Sequence, residues 1–271
     1  MPIHIKKYYP AAKPLKHLIK YFWVLDSAGP ISLNHQILPM GNIDLLINLA
    51  SPMTFEKKGI AFASPGSICF SGLSHHHTIM KQQGIVFTIG VSFFPTGSYP
   101  FFKIPVSTFK NETVSLDTIL NKTAWQLEEK LRQASRLSEK IKRLEVFFID
   151  RLDSGSQVPE KTCILLNHFY TADMKVHDFC NTYGVQNRTF ERLFNTYVGT
   201  TPKQFFRLNR FQGLLNRILQ LPREVSLTDL AMEFDYYDQA HFIHDFKAFT
   251  GNSPSVFLTE KRSLIQNVKI L

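Results

Sequence analysis

The sequence predicts a two-domain protein: an N-terminal domain that is mainly β, an antiparallel sheet or barrel with amphipathic helices after it, and an all-α C-terminal domain built from two helix-turn-helix units. Three observations carry this prediction. Short segments rich in β-branched and aromatic residues, punctuated by Gly and Pro, fill the stretch from Ile31 to Phe102. Helical spacing replaces them after Pro105, and an internal repeat occupies the region beyond Thr162. A chain of 271 residues is long enough for two modest cores.

Taken in order, Ile43 to Leu49, Gly66 to Phe70 and Ile85 to Phe94 read as strands of a β-rich effector or sensor domain spanning residues 1–115. Leu127, Leu131 and Ala134, then Ile141, Leu144, Phe148 and Leu152, recur at helical spacing between charged residues. They predict one or two amphipathic helices in a connector, residues 116–152. That connector is expected to pack on its own sheet, with a dimer contact as the alternative. Residues 153–161 contain Ser154, Gly155, Ser156 and Pro159 and suit a linker. Residues 162–260 read as helices, followed by a tail, 261–271.

Composition excludes several classes. Hydrophobic residues make up 44% and charged residues 20%, which fits neither a disordered nor a collagen-like chain. No run of 18 apolar residues occurs, and Met1 to Pro10 lacks an apolar signal core, so a cytoplasmic protein with no membrane partner is expected. Cys69, Cys163 and Cys180 lie far apart, which excludes a disulfide scaffold and suits a reducing compartment. Cys69 and Cys180 sit among apolar residues and read as buried thiols. The net charge of +9 suggests nucleic acid, yet residues 162–271 carry only 12 Lys and Arg against 10 Asp and Glu. Most of the excess lies in the N-terminal part, where a solvated surface or an anionic effector would account for it.

The repeat is the most informative feature. Phe190-Glu-Arg-Leu-Phe194 followed by Gly199-Thr-Thr-Pro-Lys-Gln-Phe205 recurs 52 positions later as Phe242-Ile-His-Asp-Phe246 followed by Gly251-Asn-Ser-Pro-Ser-Val-Phe257. Upstream, Asp178-Phe-Cys answers Asp229-Leu-Ala at an offset of 51. Two related helix-turn-helix units follow, at about 173–197 and 226–249. In the first, Val176, Phe179, Cys180 and Tyr183 mark one helical face, and Gly184 can supply the positive φ of a tight turn. Lys175 is a poor cap there, so that helix is expected to begin at Asp173. Phe190, Leu193, Phe194 and Tyr197 turn inward on the second helix, which leaves Arg188, Thr189, Glu191, Arg192 and Asn195 outward. The second unit opens on Ser226 with Asp229, a capping-box-like start. Its second helix turns Phe242, Phe246 and Phe249 inward and Gln239, His241, Ile243 and His244 outward. Thr201-Pro202 and Ser253-Pro254 are start signals for the helix after each unit. Between the units lies a helix of about 19 residues, roughly 28 Å long, near the pitch of B-DNA, about 34 Å.

The stretch from Ser226-Leu-Thr-Asp-Leu-Ala to Gly251-Asn-Ser-Pro254, with Pro202-Lys-Gln-Phe-Phe-Arg-Leu-Asn-Arg210, resembles the signature of the AraC/XylS family of bacterial transcriptional regulators. The likeness spans roughly 165–258. Leu38-Pro-Met-Gly-Asn-Ile-Asp-Leu-Leu-Ile-Asn48 and Gly90-Val-Ser-Phe-Phe-Pro-Thr-Gly-Ser-Tyr-Pro-Phe-Phe102 are similar to the β-rich domain that precedes this module in one subgroup, whose ligand is undefined. The resemblance implies sequence-specific binding to double-stranded DNA, with Arg188, Thr189, Glu191, Arg192, Gln239, His241 and His244 as the DNA-binding residues. Their chemistry suits base edges, since Arg matches guanine, Gln matches adenine and Glu accepts from cytosine. Asp235 stands where the family usually has Gly, and His244 where Arg is common. Contact with RNA polymerase, a homodimer and a small-molecule effector are further partners the family suggests; the effector-binding residues are unknown and no cofactor is implied. Asp235, Asp238 and Asp245 predict that the second unit binds non-specific DNA poorly.

The main competing reading is a metal- or ligand-binding β-barrel enzyme with an accessory helical domain. It rests on His75-His76-His77, because on a strand His75 and His77 would share a face. No Asp or Glu occurs from Lys57 to Lys110, so exposed histidines are the favoured reading and no catalytic or metal residue is assigned. The sequence also lacks G-x-S-x-G, P-loop and G-x-G-x-x-G motifs.

Overall fold

The computed structural model describes residues 4–39, 41–152, 158–172, 174–220 and 226–264. Among the described residues ten antiparallel strands form two sheets: β1 (His4–Tyr8), β2 (Ile19–Asp26), β3 (Ile31–Ile37), β4 (Ile43–Asn48), β5 (Met53–Lys57), β6 (Ile60–Ala63), β7 (Ile68–Ser71), β8 (Thr78–Gly84), β9 (Phe87–Phe93) and β10 (Thr113–Ser115). A six-stranded sheet runs β1-β2-β9-β4-β7-β10, and a four-stranded sheet runs β3-β8-β5-β6. Strand alternation explains the layering. In β9, Ile89, Val91 and Phe93 face the helices and are buried, while Thr88, Gly90 and Ser92 face the second sheet. A smaller core of Leu25, Leu33, Met53, Phe55, Met80 and Val86 lies between the sheets.

The helices α1 (Tyr99–Phe102), α2 (Leu116–Leu120), α3 (Lys122–Gln133) and α4 (Leu137–Arg151) cover the outer face of the larger sheet. Phe148 of α4 packs against Phe93 and Phe101 at ring distances of 5.7 and 4.7 Å. Buried Leu127, Leu131 and Leu144 complete that layer, so the connector packs on its own sheet. Lys140 of α4 donates to the carbonyls of Leu131 and Ala134, which closes the C-terminus of α3.

Seven helices follow among the described residues: α5 (Glu160–Thr171), α6 (Val176–Thr182), α7 (Asn187–Val198), α8 (Pro202–Gln220), α9 (Leu227–Glu233), α10 (Gln239–Thr250) and α11 (Pro254–Leu264). Helix α5 already begins at Glu160, inside the predicted linker; residues 153–157 of that linker lie outside the described residues, as do Asp173 and 265–271. α6 starts at Val176 after Lys175, which makes no side-chain cap bond, rather than at Asp173. The backbone of Lys175 is extended, and the buried pair Phe179 and Cys180 fixes the helix by packing instead of capping. Hydrophobic residues of the sheet face, connector and helical domain form one contiguous cluster. Among the described residues no helix is long and apolar enough to cross a membrane.

The histidine triplet is the clearest departure. Residues 72–77 form a loop between β7 and β8, so His75 and His77 share no strand face, and all three side chains are half-buried rather than exposed. His75 Nε2 lies 3.0 Å from Thr200 Oγ1 and its Nδ1 3.3 Å from Asn111 Oδ1, while the His77 ring packs on Gly251. His75 and His77 are therefore part of the contact between the β-rich half and the helical half, and the barrel-enzyme reading loses its geometric basis.

Candidate nucleic-acid interface

The first unit folds around aromatic rings. Phe169 of α5 touches Phe179, Phe190 and Phe194 at 5.0, 5.0 and 5.4 Å, and Phe194 touches Phe205 of α8 at 5.2 Å. Gly184 takes φ +63° at the turn between α6 and α7. With Phe190, Phe194 and Val198 buried, the helical period places Arg188, Glu191 and Arg192 on the exposed face of α7, and Thr189 half-buried beside them. Among the described residues neither guanidinium is engaged in an ion pair or a side-chain hydrogen bond. Tyr197 is half-buried and packs on Tyr99 at 4.7 Å, while Tyr183 stays exposed and stacks on Phe179 at 4.4 Å.

The second unit repeats this plan. Ser226 caps α9 by accepting from the Asp229 amide at 3.3 Å, and Asp235 makes the turn at φ +52° in place of glycine. Asp238 caps α10 by accepting from the His241 amide at 2.6 Å. Phe242, Phe246 and Phe249 are buried, the last two against Phe211 of α8. Gln239 and His244 are exposed, and Lys247 joins them one turn beyond His244. Lys247 was not singled out from sequence, although its spacing of three from His244 was the available signal.

Two expectations for this unit change. His241 is half-buried, with its ring edge on Tyr236 and its Nε2 3.5 Å from Arg210 and 3.7 Å from Asp245. It is tied into the module rather than free. Asp245 is 1% exposed and pairs with Arg207 at 2.5 Å and Arg210 at 3.0 Å, so its charge is held inside the module. Burial alone would raise the Asp245 carboxyl, but the Arg207 hydrogen bond and charge, with His241 and Arg210, hold it below the usual value of 3.8. Arg210 also lies 3.9 Å over the Tyr236 ring. These arginines of α8 thus fix α10 from inside.

Helix α8 runs 19 residues, the predicted length, and Thr201 and Ser253 accept from Gln204 and Val256 amides at the starts of α8 and α11. Two units, each with one exposed polar face on its second helix, are joined by a shared spacer.

Comparison with known proteins agrees with this geometry. Residues 179–260 match the family model of a helix-turn-helix domain. The HTH-type transcriptional regulator ExsA of Pseudomonas aeruginosa is 27% identical over 96 residues, 35% of this chain and 34% of its own. The C-terminal module is an AraC-type helix-turn-helix domain. The thermoregulatory protein LcrF of Yersinia pestis is likewise 27% identical to this chain over 101 residues, 37% of this chain and 36% of its own. The match thus spans about a third of the length of these curated relatives. Residues 7–115, ahead of the AraC-type module, match a domain of unknown function, DUF6597. A solved structure of ToxT from Vibrio cholerae aligns over 88% of this chain and 97% of its own, at 12% identity and a TM-score of 0.43.

Proposed function

We propose that the chain is a sequence-specific DNA-binding transcriptional regulator in which α7 and α10 enter successive major-groove segments of one duplex, and residues 1–115 serve as an effector domain. The carrying observation is the pair of equivalent helices with exposed Arg188, Glu191 and Arg192 on one and Gln239, His244 and Lys247 on the other, held by one spacer. Arg192 and Arg188 are the strongest readers, because a free guanidinium binds guanine bidentately. Thr189 and His241 border the readers, and His241 fixes the position of α10. Two linked units read a bipartite site without a partner, so neither a homodimer nor RNA polymerase is required for binding itself.

Selecting bound sequences from a random duplex pool yields the operator. On that operator Arg192→Ala is expected to cost about 1–3 kcal/mol and to relax specificity at one base pair. Equal weakening on operator and random DNA in a binding titration would reject the base-reading role.

A further inference from the structure

Between the two sheets lies a cavity of about 380 Å³, lined on the four-stranded side by Met53, Phe55 and Met80 and on the six-stranded side by Trp23, Leu46 and Asp44. Its volume falls in the range of small-molecule sites, about 300–1,000 Å³. Asp44 is the one acid among the described residues of this lining. It sits in the middle of β4, opposite Ser92 of β9 and Ser71 of β7, where the alternation of the central strand aims it at the second sheet. Ser92 Oγ donates to Asp44 Oδ1, and the Trp23 side chain donates toward the same carboxyl. Among the described residues no cation lies within ion-pair distance of it. Lys7, Lys57, His35 and His76 also line the cavity; Lys57 Nζ donates to the Asn111 carbonyl at 2.9 Å, and Lys7 Nζ lies 4.9 Å over the Tyr21 ring.

The aromatic wall is built by one residue choice. Trp23 pairs with Gly90 across β2 and β9, and a Cβ on residue 90 would fall 1.8 Å from the indole. Only glycine lets the indole lie flat on the sheet there, next to Asp44. Even a half-buried carboxylate is costly without a counter-charge, so an Asp that accepts from neutral donors beside an aromatic plane is arranged as half of an ion pair. Burial pushes its carboxyl up to about 6, and the Ser92 and Trp23 hydrogen bonds and Lys20 only partly offset this, as expected where the other half is absent.

We propose that this cavity binds an organic cation, a protonated amine on a compact apolar body, with Asp44 as its counter-ion and the Trp23 indole as a cation–π wall. This assignment rests on the reading of residues 1–115 as an effector domain and names the ligand class that domain takes. Met53, Phe55 and Met80 receive the apolar body of the ligand from the opposite sheet.

The test uses the full chain without DNA. Phenethylamine, tryptamine and hexylamine, each beside the alcohol and the carboxylic acid of the same skeleton, are titrated by thermal shift and calorimetry. Amines are expected to raise the unfolding midpoint while their alcohols and acids do not. Asp44→Asn is expected to weaken the best amine by about tenfold or more, the scale of losing a hydrogen bond to a charged group. Met80→Trp, which fills the cavity from the facing sheet and leaves Asp44 in place, is expected to abolish binding and serves if Asp44→Asn misfolds. The proposal is overturned if no amine shifts the midpoint, if alcohols or acids shift it as much, or if both variants bind the amine normally. Because DNA is absent, a negative result leaves the DNA-binding reading standing, and a failed operator titration leaves this one standing.

Discussion

Asp245 shows how one side chain can be misread from its charge. On a helix proposed to face DNA an acid looks repulsive, yet it is 1% exposed and pairs with two arginines that hold α10 against α8. Removing one partner of a buried ion pair costs roughly 3–5 kcal/mol, and the partial exposure of Arg207 and Arg210 brings the expected loss for Asp245→Asn nearer about 2 kcal/mol. Thermal or denaturant unfolding measures this; an unchanged midpoint would show that the pair contributes nothing. The carboxyl is held below its usual value, so its contribution is present above pH 3.8 and disappears as acid protonates the folded form. Reading the same residue correctly from sequence required knowing that Arg207 and Arg210 lie one turn apart on a neighbouring helix, a contact across 35 or more positions.

At the level of elements, legibility followed the range of the interactions. The helix-turn-helix repeat, the spacer α8 and the caps at Ser226, Thr201 and Ser253 were readable because each is set within a few residues. The strands β1, β2, β3, β5, β6, β8 and β10 were not individually placed. β1 is His-Ile-Lys-Lys-Tyr, an edge strand whose lysines hide its pattern, and it is defined by pairing with β2 rather than by its own residues. Within the candidate site, the exposed faces of α7 and α10 were legible from period alone, whereas the tethering of His241 was not. Least readable was the loop of His75 to His77, because its partners Asn111, Thr200 and Gly251 are all distant in sequence. Burial outweighs the Asn111 hydrogen bond and, with smaller contributions from Lys110, His76 and Arg207, lowers His75 to about 4 from 6.5. The imidazole is neutral where it meets Thr200. As pH falls from 6.5 toward 4, the unfolded chain takes up the proton first, so the contact between loop and helix turn weakens in that window. Comparing unfolding midpoints across it, His75→Gln is expected to decline less steeply than the parent; parallel curves would remove His75 from the account.

For the molecule as a whole, the two halves are not beads on a string. One hydrophobic cluster runs from the larger sheet through the connector into the helices. Polar ties reinforce it, with Lys110 Nζ donating to Gln204 at 2.8 Å and Gln36 Nε2 to the Thr250 carbonyl at 2.8 Å. Helices α7 and α10 both end in a glycine of positive φ, Gly199 at +89° and Gly251 at +80°, and both glycines seat on the β-rich half, against Val106 and His77. A duplicated motif is thereby gripped at the same point in each copy. If α7 and α10 read DNA as proposed, the consequence lies in the DNA: the two base clusters must keep a constant rotational phase. Inserting about five base pairs, half a helical turn, between them would carry the second cluster to the far side of the duplex. Affinity is expected to fall to that of a single cluster and to recover in part when a full turn is inserted and the duplex bends; equal affinity at every spacing would mean that the two ends are not held together at all.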